Sequence, residues 1–344
     1  MGAAGAAVRV VEIDPADEAS FDAWFAVMAI TDTERWPGRP GWQRAERLAF
    51  ALDDDAPQMH RCISALDDEG HVVGIVDLAM HRWENLHLAE VDVRVLPEHR
   101  RRGIGRALVR FAEEAAHAAG RRQLGGPDEV PTRSGADTSV GEFARRLGFA
   151  GAQSMVRREL ALPPVGMDLA QRRREATARS VGYTMLTFAD RWPEEYLADR
   201  CELGRRMSTD IPMGDLPLDE EIWDEARVRK MEASLAEQDR AKITTAARCD
   251  ATGHLVAFSD IAIPRGAPES VWQHDTLVMR EHRGHGLGLA TKLENVIALM
   301  AAYPQAKTIS TWNAVENEHM IAINDAMGFV VTAHSTIWLK SLGK

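Results

Sequence analysis

Cysteine is scarce: Cys62, Cys201 and Cys249 are the only three in 344 residues. An odd number at wide spacing gives neither a disulfide framework nor a thiolate zinc site to expect. Long apolar runs are missing too; none reaches the roughly 18 residues of a membrane span, so no membrane partner is expected. Positive charge is in deficit, with 41 Lys and Arg against 52 Asp and Glu and a formal net charge of −11. That is the wrong sign for a general nucleic-acid surface, and no nucleic-acid partner is expected. The opening Met-Gly-Ala-Ala-Gly-Ala-Ala lacks a basic region and a long apolar stretch. It reads as a frayed tail rather than a signal peptide, and the expected location is cytoplasmic. What is present, 45% hydrophobic and 27% charged residues, is the composition of a globular protein. The length suits two domains of roughly 150 to 170 residues.

The most informative stretch runs from Val91 to Leu108. Val91, Val93 and Val95 alternate with Asp92 and Arg94, the period of a strand. Pro97 ends that strand, and a glycine-free, proline-free run from Arg106 to Ala116 reads as a helix. Between them lies Arg100-Arg101-Arg102-Gly103-Ile104-Gly105-Arg106. Its glycines allow a turn that points several N–H groups into one concavity at a helix N-terminus, and the arginines add positive charge, so it reads as a pyrophosphate cradle.

The device occurs twice. Arg283-Gly284-His285-Gly286-Leu287-Gly288-Leu289 follows the strand ending Leu277-Val278, and Gly103 and Gly286 are 183 residues apart. The same offset pairs Asp67 with Asp250, Gly70 with Gly253, His71 with His254, Asp77 with Asp260, Asp92 with Asp275 and Val95 with Val278. Leu-Gly-Phe149 and Met-Gly-Phe329 correspond at 180. These ungapped identities make the chain a duplication. The expected domains are 1–161 and 181–344, joined by a linker over 162–180 that opens on Pro163-Pro164 and carries the basic run Arg172 to Arg174.

Each copy reads strand, two helices, several strands, Arg-x-x-Gly-x-Gly, helix, strand, and a helix ending in Gly-Phe. This resembles the GNAT N-acetyltransferase superfamily over nearly the whole chain, as two tandem copies, an architecture similar to that of mycothiol synthase. A dinucleotide fold fits less well: Leu108 and Thr291 stand where a third small residue is needed. The resemblance implies an α/β (α+β) chain of two tandem GNAT domains, each a mixed, mostly antiparallel sheet flanked by helices. It further implies that acetyl-CoA lies along the strand before the cradle, at Val93 and Val95 or Leu277 and Val278, with its pyrophosphate on residues 100–106 or 283–289.

An amine must be deprotonated before it attacks a thioester, the carbonyl oxygen needs a backbone N–H donor, and the departing thiolate needs stabilising. Glu90 and Asp92 in the first copy, with Gln273 and Asp275 in the second, are the candidate bases on one strand face; the competing reading is a solvated or cross-paired polar face. His274 points the other way and reads as packed. His282-x-x-His285 offers two metal donors without a third, so no metal is expected. The resemblance places a tyrosine acid four residues before the glycine of Gly-Phe, where this chain has Ala144 and Asn324. Asn313 and Asn317 occupy the place of a cofactor- or water-ordering amide in the second copy only, which favours that copy as catalytic. The segment Ser208 to Trp223 holds five carboxylates and no Lys or Arg, a rim for a cationic amine or merely a solvated helix start. Trp36 and Trp42, in the corresponding loop of the first copy, stack on a ligand or plug the site.

The leading expectation is an acetyl-CoA-dependent N-acetyltransferase acting on a small-molecule amine, as a monomer or homodimer. The alternatives are a non-catalytic acyl-CoA-binding or sensing protein, and an antibiotic-modifying or mycothiol-synthase-like acetyltransferase.

Overall fold

The structure, a computed structural model, describes residues 8–343 apart from 55, 135–138, 211–215 and 217. The expected tail over 1–7, and part of the acidic segment including Asp215, lie outside the described residues. In chain order the first copy forms β1 (Arg9–Glu12), α1 (Glu18–Arg35), α2 (Arg44–Leu52), β2 (Gln58–Leu66), β3 (Val72–His81) and β4 (Leu88–Val95). It continues with α3 (Ile104–Ala118), β5 (Gln123–Pro127), a two-residue β6 (Val130–Pro131), α4 (Ser139–Arg146) and β7 (Ala150–Ala161). The second copy forms α5 (Leu169–Arg179), β8 (Tyr183–Ala189), α6 (Leu197–Asp210), α7 (Glu225–Glu237), β9 (Arg240–Cys249) and β10 (Leu255–Pro264). Then come β11 (Ser270–Val278), α8 (Leu287–Ala302), β12 (Thr308–Ala314), α9 (Glu318–Ala326) and β13 (Val330–Ser341). Among the described residues no helix is long and apolar enough to cross a membrane.

The compact units are residues 1–153 with 335–344, and residues 154–334. The expected division at 161 and 181 therefore shifts, because each copy's last strand completes the sheet of the other. In the first unit β5 pairs with β13 antiparallel, Gly125 opposite Leu339 and Gln123 opposite Ser341. In the second unit β12 pairs with β7 antiparallel, Thr308 opposite Ala161 and Ala314 opposite Met155. Neither strand's sequence carries this choice, since alternation fixes a strand's faces but not its neighbours.

The expected linker contains α5. Its composition hid it, because five arginines or glutamates in eleven residues leave Ala176 as the one buried side chain. The helix starts on Asp168, whose carboxylate accepts from the Gln171 N–H at 3.0 Å.

Both cores follow the expected periodicities. In the first unit Ile104, Leu108, Ala112 and Ala116 give α3 an apolar stripe that packs on Ile63, Val76, Leu78 and Ala89 of the sheet. Burying each large side chain contributes roughly 1.5–3 kcal/mol. In the second unit β10 is buried along its entire length, which its near-continuous apolar sequence Leu-Val-Ala-Phe-Ser-Asp-Ile-Ala-Ile requires. Ser259 and Asp260 are the polar exceptions, and both belong to the site.

Candidate active site

In both units the strand before the cradle ends in a single 3-10 turn, Pro97–His99 or Arg280–His282. Arg101 and Gly103 then take φ of 64° and 89°, and Gly284 and Gly286 take 87° and 72°. Alternating left- and right-handed residues aim successive N–H groups into one concavity, and the unbonded N–H groups of the first turn of α3 or α8 open onto it. That donor set suits a pyrophosphate. Gly105 and Gly288 are glycine for another reason. A Cβ there would stand 3.1 Å from Phe143 and 2.9 Å from Ile323 respectively, so the next helix packs on the cradle's back.

The leading arginines of the two motifs play a part the sequence reading did not assign. Arg100 donates Nε–H to the Val95 carbonyl at 3.0 Å and its Nη groups to Glu34. Arg283 donates to the Val278 and Asp210 carbonyls at 3.2 Å each. Both guanidinium groups lock the strand end to the first long helix of their copy, α1 or α6. Arg101, Arg102, Arg106 and His285 remain exposed around the cradle, whereas the Ile104 and Leu287 side chains are buried in the core and offer only their backbone.

The strand before each cradle has a free edge. β4 pairs with β5 in parallel only over Leu88–Glu90, and β11 pairs with β12 only over Ser270–Trp272. Beyond those residues, Val91 to Val95 and Gln273 to Val278 expose a row of backbone groups to the parting of the strands, as an extended pantetheine requires. In the first unit this gap is tight at its start, since a Cβ on Gly126 would lie 2.2 Å from the Val91 carbonyl oxygen.

The second unit carries a β-bulge at the candidate base. Ser259 pairs with Thr276 and Ile261 with Gln273, so His274 and Asp275 together oppose Asp260. Gln273, proposed as catalytic, is 4% exposed and holds the bulge instead. Its amide donates to Ser259 Oγ at 3.0 Å and to the Asp260 carbonyl at 2.7 Å. Asp260 is buried and bonded on both oxygens, to Lys242 Nζ at 2.8 Å and to the Asp275 N–H at 3.1 Å. Burial opposes its ionisation, but Lys242, His274 and Arg200 outweigh that and keep its pKa below the usual range.

Asp275 itself is solvent-accessible, though protein crowds it. Loss of solvation, then the Asp260 charge, push its carboxyl up to about 6, against the pull of Arg200 and Lys242. Such a value suits a general base near neutral pH. Arg200 is held between Trp223, Phe258 and Trp192 at 4.2, 5.1 and 5.5 Å. His274, expected to pack inside, is exposed, because the bulge rotates it off the strand's alternation. Crowding lowers its pKa to about 4 despite Asp260, so it stands neutral.

The first unit has the same carboxylate positions in another state. β3 and β4 stay in unbroken register, with Asp77 opposite Asp92. Arg94 takes up Asp92 at 2.9 Å and also binds Asp32. Asp77 is bound by Arg47 at 2.6 Å and lies 3.0 Å from His60 Nδ1. Burial resists, but Arg47 and His60 pull the Asp77 carboxyl down to about 2. Glu90 is occupied by His81 at 2.9 Å and Gln58 at 3.1 Å. Neither candidate base of this unit is free. Trp42 stacks on Arg47 at 5.2 Å and meets Phe50 edge-on, so it fills the site rather than waiting for a ligand. Trp36 takes Arg39 and Arg133 in the same way.

The asparagines divide. Asn317 is the N-cap of α9, accepting from the Met320 N–H at 3.1 Å, which is a structural duty. Asn324 is fully buried; its carbonyl accepts from Lys292 Nζ at 2.7 Å and its amide donates to Asn313 Oδ1 at 2.6 Å. Of the acidic segment, Asp210 meets Arg280 at 3.1 Å, Glu220 meets Arg205 at 3.5 Å, and Glu221 accepts from Trp223 at 2.8 Å. Its described carboxylates are largely internal partners rather than an open rim. His282 lies 2.9 Å from the Tyr183 hydroxyl. No group of three His, Cys, Asp or Glu among the described residues is arranged to hold a metal.

Sequence reasoning missed Lys242, Arg200 and Lys292. For Lys292 the signal was there: with Gly288, Asn295, Val296 and Leu299 it lies on the helical face that turns inward.

Residues 23–149 match the acetyltransferase (GNAT) family model. No curated protein matches the chain. Among solved structures, a tandem GNAT protein from the clavulanic acid biosynthesis pathway is 25% identical with a TM-score of 0.79, covering 98% of this chain and 99% of that one. A GCN5-related N-acetyltransferase from Sphaerobacter thermophilus is 17% identical with a TM-score of 0.69, covering 98% and 96%. Saccharomyces cerevisiae N-myristoyltransferase with bound myristoyl-CoA shares the fold at 10% identity and a TM-score of 0.57, covering 97% and 79%. The family model lies on the first copy, and the fold shared with the tandem GNAT protein runs over both.

Proposed function

We propose that the unit formed by residues 154–334 is an acetyl-CoA-dependent N-acetyltransferase centre for a small-molecule amine, and that Asp275 is its general base. One observation carries this reading: the β11 bulge presents an accessible carboxylate without an ion pair among the described residues, its pKa raised to about 6, beside the free strand edge and cradle. The cradle N–H groups from Gly284 to Leu287 would hold the pyrophosphate, and the β11 edge beyond Trp272 would pair with pantetheine. When bound, acetyl-CoA supplies the activated acyl group. The protein's part is to take the ammonium proton at Asp275, hold the bulge rigid through Gln273 and Asp260, and offer backbone N–H groups to the carbonyl oxygen. Lys242 keeps Asp260 ionised, so the Asp260 charge continues to raise the Asp275 pKa.

For the first unit the observations favour a different role, acyl-CoA binding without transfer. Its cradle has the same backbone, but Asp92, Asp77 and Glu90 are all paired and the acceptor side is filled by Trp42 and Arg47.

The test is acetyl-CoA turnover with a panel of amines on the wild type, Gly286→Trp and Gly103→Trp, each checked for folding by circular dichroism. Activity should disappear with Gly286→Trp and survive Gly103→Trp. The reverse pattern would move catalysis to the first unit. Absence of turnover with every amine, beside measurable CoA binding, would leave a sensor.

A further inference from the structure

Lys292 is a cation where apolar packing prevails. It is 1% exposed on α8, the helix whose Leu293 and Val296 join Ile323 and Phe329 in the core, and the Phe329 ring lies 5.6 Å from its Nζ. Its one hydrogen bond among the described residues goes to Asn324. Two carboxylates on the helices around it are engaged elsewhere, Glu294 of α8 with Arg173 of α5 at 2.6 Å and Asp325 of α9 with Arg158 of β7 at 2.5 Å; Glu318 and His319 lie at the other end of α9. Burial alone lowers the Lys292 pKa to about 7. An ammonium in such a place is costly to keep. The first copy does without it, having Val109 and Ala144 at the matching positions.

The line continues outward. Asn324 passes the polarity on to Asn313, whose own NH2 group has no partner among the described residues. Asn313 stands three residues past Ser310, the last β12 residue paired with β11, where the two strands have parted. Asn324 also occupies the place where the family resemblance puts a tyrosine acid.

We propose that the Lys292–Asn324–Asn313 line stabilises the thiolate that leaves the acyl-CoA in this unit, which rests on the acetyltransferase reading above. Asp275 has taken the ammonium proton before attack; when the tetrahedral intermediate collapses, the C–S bond breaks, its electron pair goes to sulfur and the second nitrogen proton passes to water. The Asn313 amide N–H faces the sulfur anion, with the Lys292 ammonium dipole-linked behind it; the sulfur takes its final proton from that water, and Asp275 returns its own proton to solvent. Lys292 and Asn324 are thus positioning residues.

The test uses the full chain in the Gly103→Trp background, so that CoA occupies the second cradle. The thiol of bound CoA is titrated by its ultraviolet thiolate absorbance, with desulfo-CoA as blank. The bound thiol should ionise at a lower pH than free CoA, and should return to the free value in Lys292→Met and in Asn313→Ala. With acetyl-CoA, both variants should lose about 10²-fold in kcat with KM for acetyl-CoA unchanged. A thiol titration unaltered in Lys292→Met that still binds CoA would overturn the relay alone. No CoA binding before substitution would overturn the acyl-CoA reading of the unit, and the relay with it.

Discussion

Asp77 with Asp92 and Asp260 with Asp275 are the same two carboxylates in two copies of one fold, and their surroundings differ. In the first unit each has its own arginine, Arg47 or Arg94, and the strands run in register. In the second unit Leu277 stands where the first has Arg94, so Asp275 lacks the arginine that pairs with Asp92. The bulge then brings its backbone onto Asp260, and loss of solvation followed by the Asp260 charge raises its pKa. One arginine-to-leucine difference and one shift of strand register separate a carboxylate held by its own arginine from one without it.

The largest expected effect tests that contrast directly. Asp275→Asn should lower kcat/KM by about 10²- to 10⁴-fold, whereas Asp92→Asn should leave turnover unchanged. The base must be ionised to act, so a carboxyl raised to about 6 predicts that wild-type kcat/KM falls as pH drops below about 6. An acid limb near the ordinary carboxylate range, or equal losses in both variants, would remove the distinction between the copies.

Stability should break the other way. Arg94→Leu imitates the second copy at the matching position. It strands Asp32 and Asp92 beside a side chain that is 8% exposed, and should cost about 3–5 kcal/mol in denaturant titration. A loss under about 1 kcal/mol would mean that the exposed Asp92 simply turns to water.

Much of this was legible beforehand. The duplication, both cradles and the strand–turn–helix around them follow from glycine positions and period-2 alternation, which are local properties. Asp275 was singled out because it sits on the strand's polar face. The bulge was not legible, since two residues opposing one is a matter of register across strands. Gln273 looked equivalent to Glu90 for that reason, yet it is the bolt of the bulge. The strand exchange between the units, and the pairing of Arg94 with Asp32, which come from elements 62 residues apart, are likewise contacts that sequence order does not reveal.

Acid titration should separate the units next. The Asp77 pKa is lowered from 3.8 to about 2, so its contribution is fully present above about pH 4 and is lost as pH falls through about 2. That amounts to about 2 kcal/mol at neutral pH. Asp275 has the opposite sign: its raised pKa is a cost at neutral pH that is relieved as pH falls below about 6. Hydrogen exchange between pH 7 and 5 should therefore show slower opening of β11, after correction for intrinsic rates, while β3 holds constant. Parallel changes in the two strands would contradict the opposed electrostatics.

The smallest expected effect sharpens the reading of two asparagines that look alike in the sequence. Asn317 caps α9 with its own side chain, so Asn317→Ala should cost about 1 kcal/mol of stability. KM for acetyl-CoA should stay where it was, because the side chain's acceptor is committed to the Met320 N–H. Asn317→Asp, which keeps the acceptor and adds charge favourable to a helix N-terminus, should hold stability near the wild type. A rise in KM with no change in melting temperature would mean that Asn317 reaches the cofactor after all. The amide signature of the second copy would then belong to two residues, and the contrast with the first unit would rest on cofactor contact as well as on the base.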